Sequence, residues 1–419
     1  MRSALLLLQV TLVAGAFAQS APTVSGADVR SLLERIEKLE KRVAELEGRA
    51  SPGSTPAHTP PAWSPQTAAT LPGASAHDAA MHDAMISDAE SFPSLKIRGF
   101  ADVDFSASDR PGARSGFSLG QFVLHLASPL SKKISYFGEV SLTAQPNSYA
   151  VDVERSFIRY DVNDTAKISF GRYHTPINYW NTAFHHGSWL QTTVSRPDMS
   201  RFGGTFLPVH FVGAQSEGNI PSGGLELGYN VGLGNGRGSF FSRAGDNADA
   251  NNNRAWLVNV FSRPRMFRHL QIGGSVYNDE LTLSPDGPSP EGRNFREWIA
   301  SGHIVWTGET PEFLAEFANV HHRSTLTGHT FDSQGGYVQV AYRLPVWERR
   351  WKPYARYDYI QVPEDDITFG EVEDVRSFTF GLRYDISDFT AFKAEYRNGR
   401  GAIDEDRVNS VVMQTAFTF

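Results

Sequence analysis

From Leu95 to the C-terminus, apolar and polar positions alternate. In "LKIRGFADVDF", Leu95, Ile97, Ala101, Val103 and Phe105 fall on one face, and Lys96, Arg98, Asp102 and Asp104 on the other. A period of two belongs to a strand. Such segments start near Leu95, Ser115, Lys133, Ala150, Thr165, Phe206, Ser222, Arg254, His269, Phe295, Pro311, Asp332, Trp351, Val375, Asp388 and Val408. Gly, Asn, Asp and Pro separate them. Strands of ~9–11 residues in an even total are what a transmembrane barrel requires. The pattern predicts an all-β transmembrane β-barrel of about 16 antiparallel strands over residues 95–419.

The connections sort by length. Even-numbered ones are mostly short, such as "PLSKK", "VND", "TGET" and "ISD". Many odd-numbered ones are long and polar, such as "GNGRGSFFSRAGDNADANNN", "DELTLSPDGPSPEGR", "HHRSTLTGHTF" and "VPEDDITFGEVED". A barrel entered from the periplasm alternates short turns with long outer loops in this way. The last segment, "VNSVVMQTAFTF", puts Val411, Met413, Thr415, Phe417 and Phe419 on one face. Its alternation and terminal Phe resemble the assembly signal of outer-membrane barrels.

Charge then assigns the faces. A Lys or Arg on the lipid face at midplane costs roughly 2–4 kcal/mol. Lys96, Arg98, Arg343, Arg356, Arg383, Lys393 and Arg397 are therefore expected to line the lumen, with Asp358, Asp385 and Glu395 beside them. Tyr357, Tyr359, Phe378, Phe380, Leu382 and Tyr384 are left facing lipid. So polar a lumen predicts a wetted channel, not a packed core. Lysines and arginines concentrate on segments 12 to 15, a lean toward anions. From residue 95 onward there are 32 Lys and Arg against 36 Asp and Glu, so total charge does not set selectivity; the constriction does.

The first 94 residues have a different character. Arg2, the apolar run Ala4 to Phe17 and the small residues Ala16 and Ala18 read as a signal peptide over 1–18. Val29, Leu32, Ile36, Leu39, Val43 and Leu46 keep a heptad, which predicts a coiled coil over 28–49. Arg35 and Arg42 at g face Glu40 and Glu47 at e, and the tandem "RIEKLE" and "RVAELE" resemble the motif of trimeric coiled coils. Six prolines between Pro52 and Pro72 make 50–92 an extended linker in the periplasm. There is no Cys, hence no disulfide scaffold. A net charge of −7 argues against nucleic acid.

The longest connection follows strand 5. "GRYHTPINYWNTAFHHGSWLQTT" holds three histidines and five aromatic residues. As a zinc site it is poor: His185 and His186 are adjacent, and no acidic residue lies between His174 and Thr193. No Ser-His-Asp arrangement or nucleophile motif is present, and nothing calls for a cofactor. Two readings stay open. The loop packs on the barrel wall without touching solutes, or it lines a constriction. In the second, Arg172, His174, His185, His186, Arg196 and Arg201 meet solutes, and conductance varies near pH 6–7. Two other stretches read as solvated: "GLGNGRG" (Gly232 to Gly238), without a helix after it, and "NVHHRS" (Asn319 to Ser324), a strand end.

Together, the signal, the strand count, the long third loop and the terminal Phe resemble the trimeric porins of Gram-negative outer membranes. A coiled coil and linker before the barrel, with "FGRYHTPI" after strand 5, resemble the branch that includes phosphate-selective porins. The chain departs from that branch in lacking a dense Arg/Lys ladder. The resemblance implies a homotrimer in outer-membrane lipid, without enzymatic activity. It passes small hydrophilic solutes, leaning to anions such as phosphate. The alternative is a barrel tethering the membrane to a periplasmic or cell-wall partner through its coiled coil.

Overall fold

A computed structural model describes residues 92–419 except 185–186, 202–205, 240, 242, 284–291, 367, 370–373 and 401–406. The signal, the coiled coil with Arg35, Glu40, Arg42 and Glu47, nearly all of the linker, and His185 and His186 lie outside the described residues.

Sixteen strands follow in order: β1 (Lys96–Ser108), β2 (Gly116–Pro129), β3 (Ile134–Gln145), β4 (Ser148–Asn163), β5 (Ala166–His174), β6 (His210–Ile220), β7 (Leu227–Asn235), β8 (Ala255–Ser262), β9 (Leu270–Thr282), β10 (Asn294–Trp306), β11 (Glu312–Ser324), β12 (Thr330–Ala341), β13 (Trp351–Gln361), β14 (Val375–Ser387), β15 (Thr390–Arg400) and β16 (Val408–Thr418). Each pairs antiparallel with its chain neighbours, and β1 with β16 closes the barrel. Closure leaves no sheet edge unpaired, as a strand in hydrocarbon requires. Most strands start within two residues of the position predicted from alternation. β6 and β7 start later, at His210 and Leu227, because the loop before β6 is long and the turn before β7 contains a 3-10 segment, Gly223–Leu225.

The odd-numbered connections gather at one rim and are called loops 1 to 8. Loop 3 spans 175–209, loop 4 spans 236–254 and loop 7 spans 362–374. Loop 6 is shorter than expected. β11 runs on to Ser324, so His321, His322 and Arg323 belong to the strand, and only 325–329 turn.

The outward face is apolar. Val151, Phe170, Leu233, Phe317 and Phe380 are exposed on it, a continuous surface of the kind that lipid covers. Trp347 and Trp351 pack edge to face at the short-turn rim, 6.4 Å apart, where an interfacial girdle falls.

The inside corrects an expectation. One side of the wall bears an apolar core: Leu257, Tyr277, Ile299, Leu314, Val320 and Tyr337 point inward from β8 to β12 and pack on loop 3. Their inward positions mix these apolar residues with polar ones such as Asn259, Ser275, Glu297 and Glu316. The charged positions of β1 and β13 to β15 suggested a lumen wetted throughout. They did not reveal that the opposite strands carry a seat.

Candidate functional site

Loop 3 folds into the lumen. Its neck is closed by Asn181, whose Nδ2 donates to Thr175 O at 2.8 Å and Val209 O at 2.9 Å. After this neck comes one helical turn, α1 (Trp180–Ala183). Tyr179 and Trp180 are completely buried, and Trp180 meets Tyr337 of β12 edge to face. Burying each such ring stabilises by roughly 1.5–3 kcal/mol. The aromatics that made the loop unusual in sequence are what seat it.

Polar anchors fix its path. Glu316 of β11 accepts the backbone N–H groups of Tyr179 and Trp180 at 3.0 and 2.6 Å. Ser188 donates to Asp102 of β1 at 2.8 Å. Arg383 donates to the carbonyls of Trp189 and Gln191 at 2.7 and 2.9 Å. Lys393 donates to those of Ser188 and Thr193. Glu395 accepts from Val194 N at 2.9 Å, Ser195 N at 3.2 Å and the Ser195 hydroxyl. Arg356 donates to Ser195 O at 2.7 Å and Arg196 O at 2.9 Å. Asp198 takes Arg397 as its ion-pair partner, and its backbone N–H donates to Asp358 at 3.0 Å. A carboxylate takes donors and a guanidinium takes carbonyls, so most of these charges grip the loop's main chain; Ser188, Ser195 and Asp198 add side-chain contacts.

This placement changes the roles expected of the cations. Arg356, Arg383 and Lys393 are 2, 9 and 0% exposed. They do not line open water; they lie under loop 3. Arg397 is drawn to Asp198. The inward assignment of these residues matches their position on the strands, but alternation cannot show that a loop covers them. Arg343 stands just past β12 in a turn, paired with Glu309 and Asp385. Lys96 and Arg98 sit at the short-turn rim, half-buried and exposed respectively.

The other expected residues are scattered. Arg172 pairs with Asp246 of loop 4 and donates to Glu154 O at 3.1 Å. His174 is buried, 3.6 Å from Glu139, within a cluster that sequence reasoning did not find. There His125 lies 3.1 Å from Glu139, Arg155 pairs with Glu139, and His210 lies 2.8 Å from Glu154. Arg196 donates to Ser200 O at 2.8 Å. Arg201 is exposed. The acidic anchors Glu316 and Glu312, the latter accepting from the Thr192 hydroxyl at 3.0 Å, also went unsingled. Their signal was two carboxylates four apart in "EFLAE", at inward positions alternating with Leu314 and Ala318.

At the short-turn rim, Glu309 is 2.8 Å from Arg343 and 3.2 Å from Lys352. Burial alone would raise its carboxyl; the Lys352 and Arg343 cations outweigh that and hold it below the ordinary value. Among the described residues no three His, Cys, Asp or Glu are arranged to hold a metal ion. The arrangement positions a loop across a lumen.

No family model and no curated protein matches the sequence. Solved structures do. The chain is similar to an anion-selective porin from Comamonas acidovorans, with a TM-score of 0.56 and 10% identity over 78% of this chain and 100% of that one. It is similar to OmpT, an outer-membrane protein of Vibrio cholerae in its trimer form, with a TM-score of 0.54 and 12% identity over 78% and 100%. It is also similar to the outer-membrane channel DcaP of Acinetobacter baumannii, with a TM-score of 0.52 and 12% identity over 79% and 99%. The fold is the barrel fold of outer-membrane porins.

Proposed function

We propose that this protein is an outer-membrane porin, a water-filled channel for passive diffusion of small hydrophilic solutes, with no enzymatic chemistry. One observation carries the reading: a closed barrel of sixteen strands whose longest loop is seated inside the lumen and anchored from β1, β9, β11 and β13 to β15. Such a loop narrows a channel and sets what passes by size and lumen field. Planar-bilayer recording of the purified barrel tests it. Discrete openings in steps of three support a trimeric channel; a folded barrel that never conducts sinks the reading.

Anion preference is the finer part of the proposal. Four of the cations that suggested it are engaged with loop 3, so the preference falls to cations elsewhere, such as exposed Arg98 at one rim and Arg243 at the other. Assembly as a homotrimer through the helix at 28–49, with Arg35, Glu40, Arg42 and Glu47 bridging chains, is part of the same proposal. So is a periplasmic position for that helix and its linker.

A further inference from the structure

His322, near the loop rim of β11, reads in sequence as a solvated strand end. It is 1% exposed. Nε2 lies 2.9 Å from Glu297 of β10, and Nδ1 lies 2.8 Å from Asp366 of loop 7. The other oxygen of Glu297 accepts Arg237 Nε of loop 4 at 2.9 Å. Arg237 also donates to Phe206 O, at the end of loop 3, at 2.9 Å, and its backbone N–H donates to Asp279 of β9 at 2.9 Å. Tyr277 donates to the same carboxylate. The Thr368 hydroxyl donates to Asp366 and also lies 2.7 Å from His322 Nδ1. Phe369 stacks on Phe206 and lies 4.8 Å from the His322 ring. Three loops thus meet over one Glu–His pair on the lumen wall.

The chemistry of the pair is asymmetric. A carboxylate only accepts, and a neutral imidazole has one N–H. Ring nitrogens that both face carboxylates need two N–H groups, which only the imidazolium has. The charged groups around the ring are Glu297, Asp366, Asp279 and Arg237. With the ring charged, the imidazolium and Arg237 meet Glu297 and Asp366. Without its proton, Glu297 and Asp366 face one guanidinium, and Nδ1 turns toward Asp366 a lone pair that the Thr368 hydroxyl can meet only by giving up its bond to Asp366.

We propose that His322 is a protonation latch holding loop 7 against the lumen wall: the imidazolium docks Asp366, and loss of its proton frees loop 7 and widens the mouth. Loop 4 stays in place, because Arg237 and Glu297 keep their charges. Only the widening rests on the porin reading.

Because the chain has no Cys, Asp365→Cys gives a unique, exposed nitroxide site on loop 7. The full chain is refolded into phosphatidylcholine vesicles and label mobility is followed from pH 5.5 to 9.5. The expected result is a docked label at low pH and a mobile one at high pH, the ratio changing about tenfold per pH unit at most for one proton. His322→Gln leaves the label mobile throughout. Asp366→Asn leaves it docked throughout, because its amide donates to neutral Nδ1. His321→Gln, at an outward-facing pair with Asp332, keeps the wild-type response. A pH-independent label in the wild-type background overturns the latch, as does loss of the response in His321→Gln. Bilayer conductance is recorded on the same preparations. Mobility that changes while conductance stays constant overturns the widening. A protein that never conducts sinks the porin reading, and the label alone then decides the latch.

Discussion

Gly99 and Phe419 close the barrel on each other. Gly99 N donates to Phe419 O at 2.9 Å, and Phe419 N to Gly99 O at 3.0 Å. The Phe419 ring takes the space where any other residue at 99 would carry a side chain, since a Cβ there would sit 2.2 Å from the ring. On its other side the ring stacks on Phe122 at 5.7 Å. Gly99→Val is expected to displace this ring and destabilise the closed barrel by about 1–3 kcal/mol, as overpacking does. The heat-modified gel shift of folded barrel checks it; an unchanged unfolding temperature would show that the seam tolerates the ring's departure.

Glu395 is the most heavily loaded carboxylate under loop 3, accepting from Val194, Ser195 and Tyr354. Glu395→Gln presents donors to donors. Each charge-assisted bond lost is worth about 1.5–3 kcal/mol. Loop residues 194–196 should loosen, and single-channel conductance and the size limit for sugars should rise. Unchanged conductance in a folded barrel means these contacts do not hold the constriction.

Arg356 and Arg383 separate two views of the cationic wall. If they attract solutes, Arg356→Gln with Arg383→Gln shifts the reversal potential in a salt gradient toward cations. Their burial predicts a different outcome: larger conductance, because loop carbonyls lose their donors, with little change in reversal potential. A shift without larger conductance contradicts the clamp.

The short-turn rim should weaken in acid. The folded-state value of Glu309 lies below its ordinary one, so its stabilisation is complete above about pH 4.3, the usual Glu value. It is lost as pH falls from there through the folded value. Glu309→Gln should flatten the fall in unfolding temperature between pH 5 and pH 3. Equal slopes for variant and wild type rule Glu309 out as a source of it.

Removing residues 28–49 should reduce trimer content in detergent while each remaining barrel keeps its unit conductance. Native gels and bilayer recording read the two effects separately. Full trimer content after deletion places the oligomer contacts in the barrel.

Much of this architecture was legible in the sequence, and the reason is lipid. Outward positions such as Val151 and Phe380 must be apolar, so a period of two survives in every strand, and strand starts such as Val375 and Val408 fall where alternation begins. What lipid does not constrain stayed hidden. The inward Leu257 and Ile299 are apolar because a loop covers them, which no local pattern states. Arg356 and Lys393 were placed on the correct face, but their partners are carbonyls some 160–205 residues away in the chain. His322, on β11, was hidden for the same reason: its partner Asp366 is 44 residues away on loop 7.

The anchoring of loop 3 also orders assembly. Its contacts lie in the last quarter of the chain as well as the first, from Asp102 to Arg397. Closing such spans is slow relative to local hairpins. The loop has no complete seat until β13 to β15 are in place, although its own strand, β5, is made long before. A chain stalled short of β15 can seat Tyr179 and Trp180 on β11 and β12, but loop residues 188–198 lack Lys393, Glu395 and Arg397. The carbonyls of Ser188 and Thr193 and the N–H groups of Val194 and Ser195 are what the unfinished barrel leaves without their wall partners, and β15 supplies those partners when it arrives.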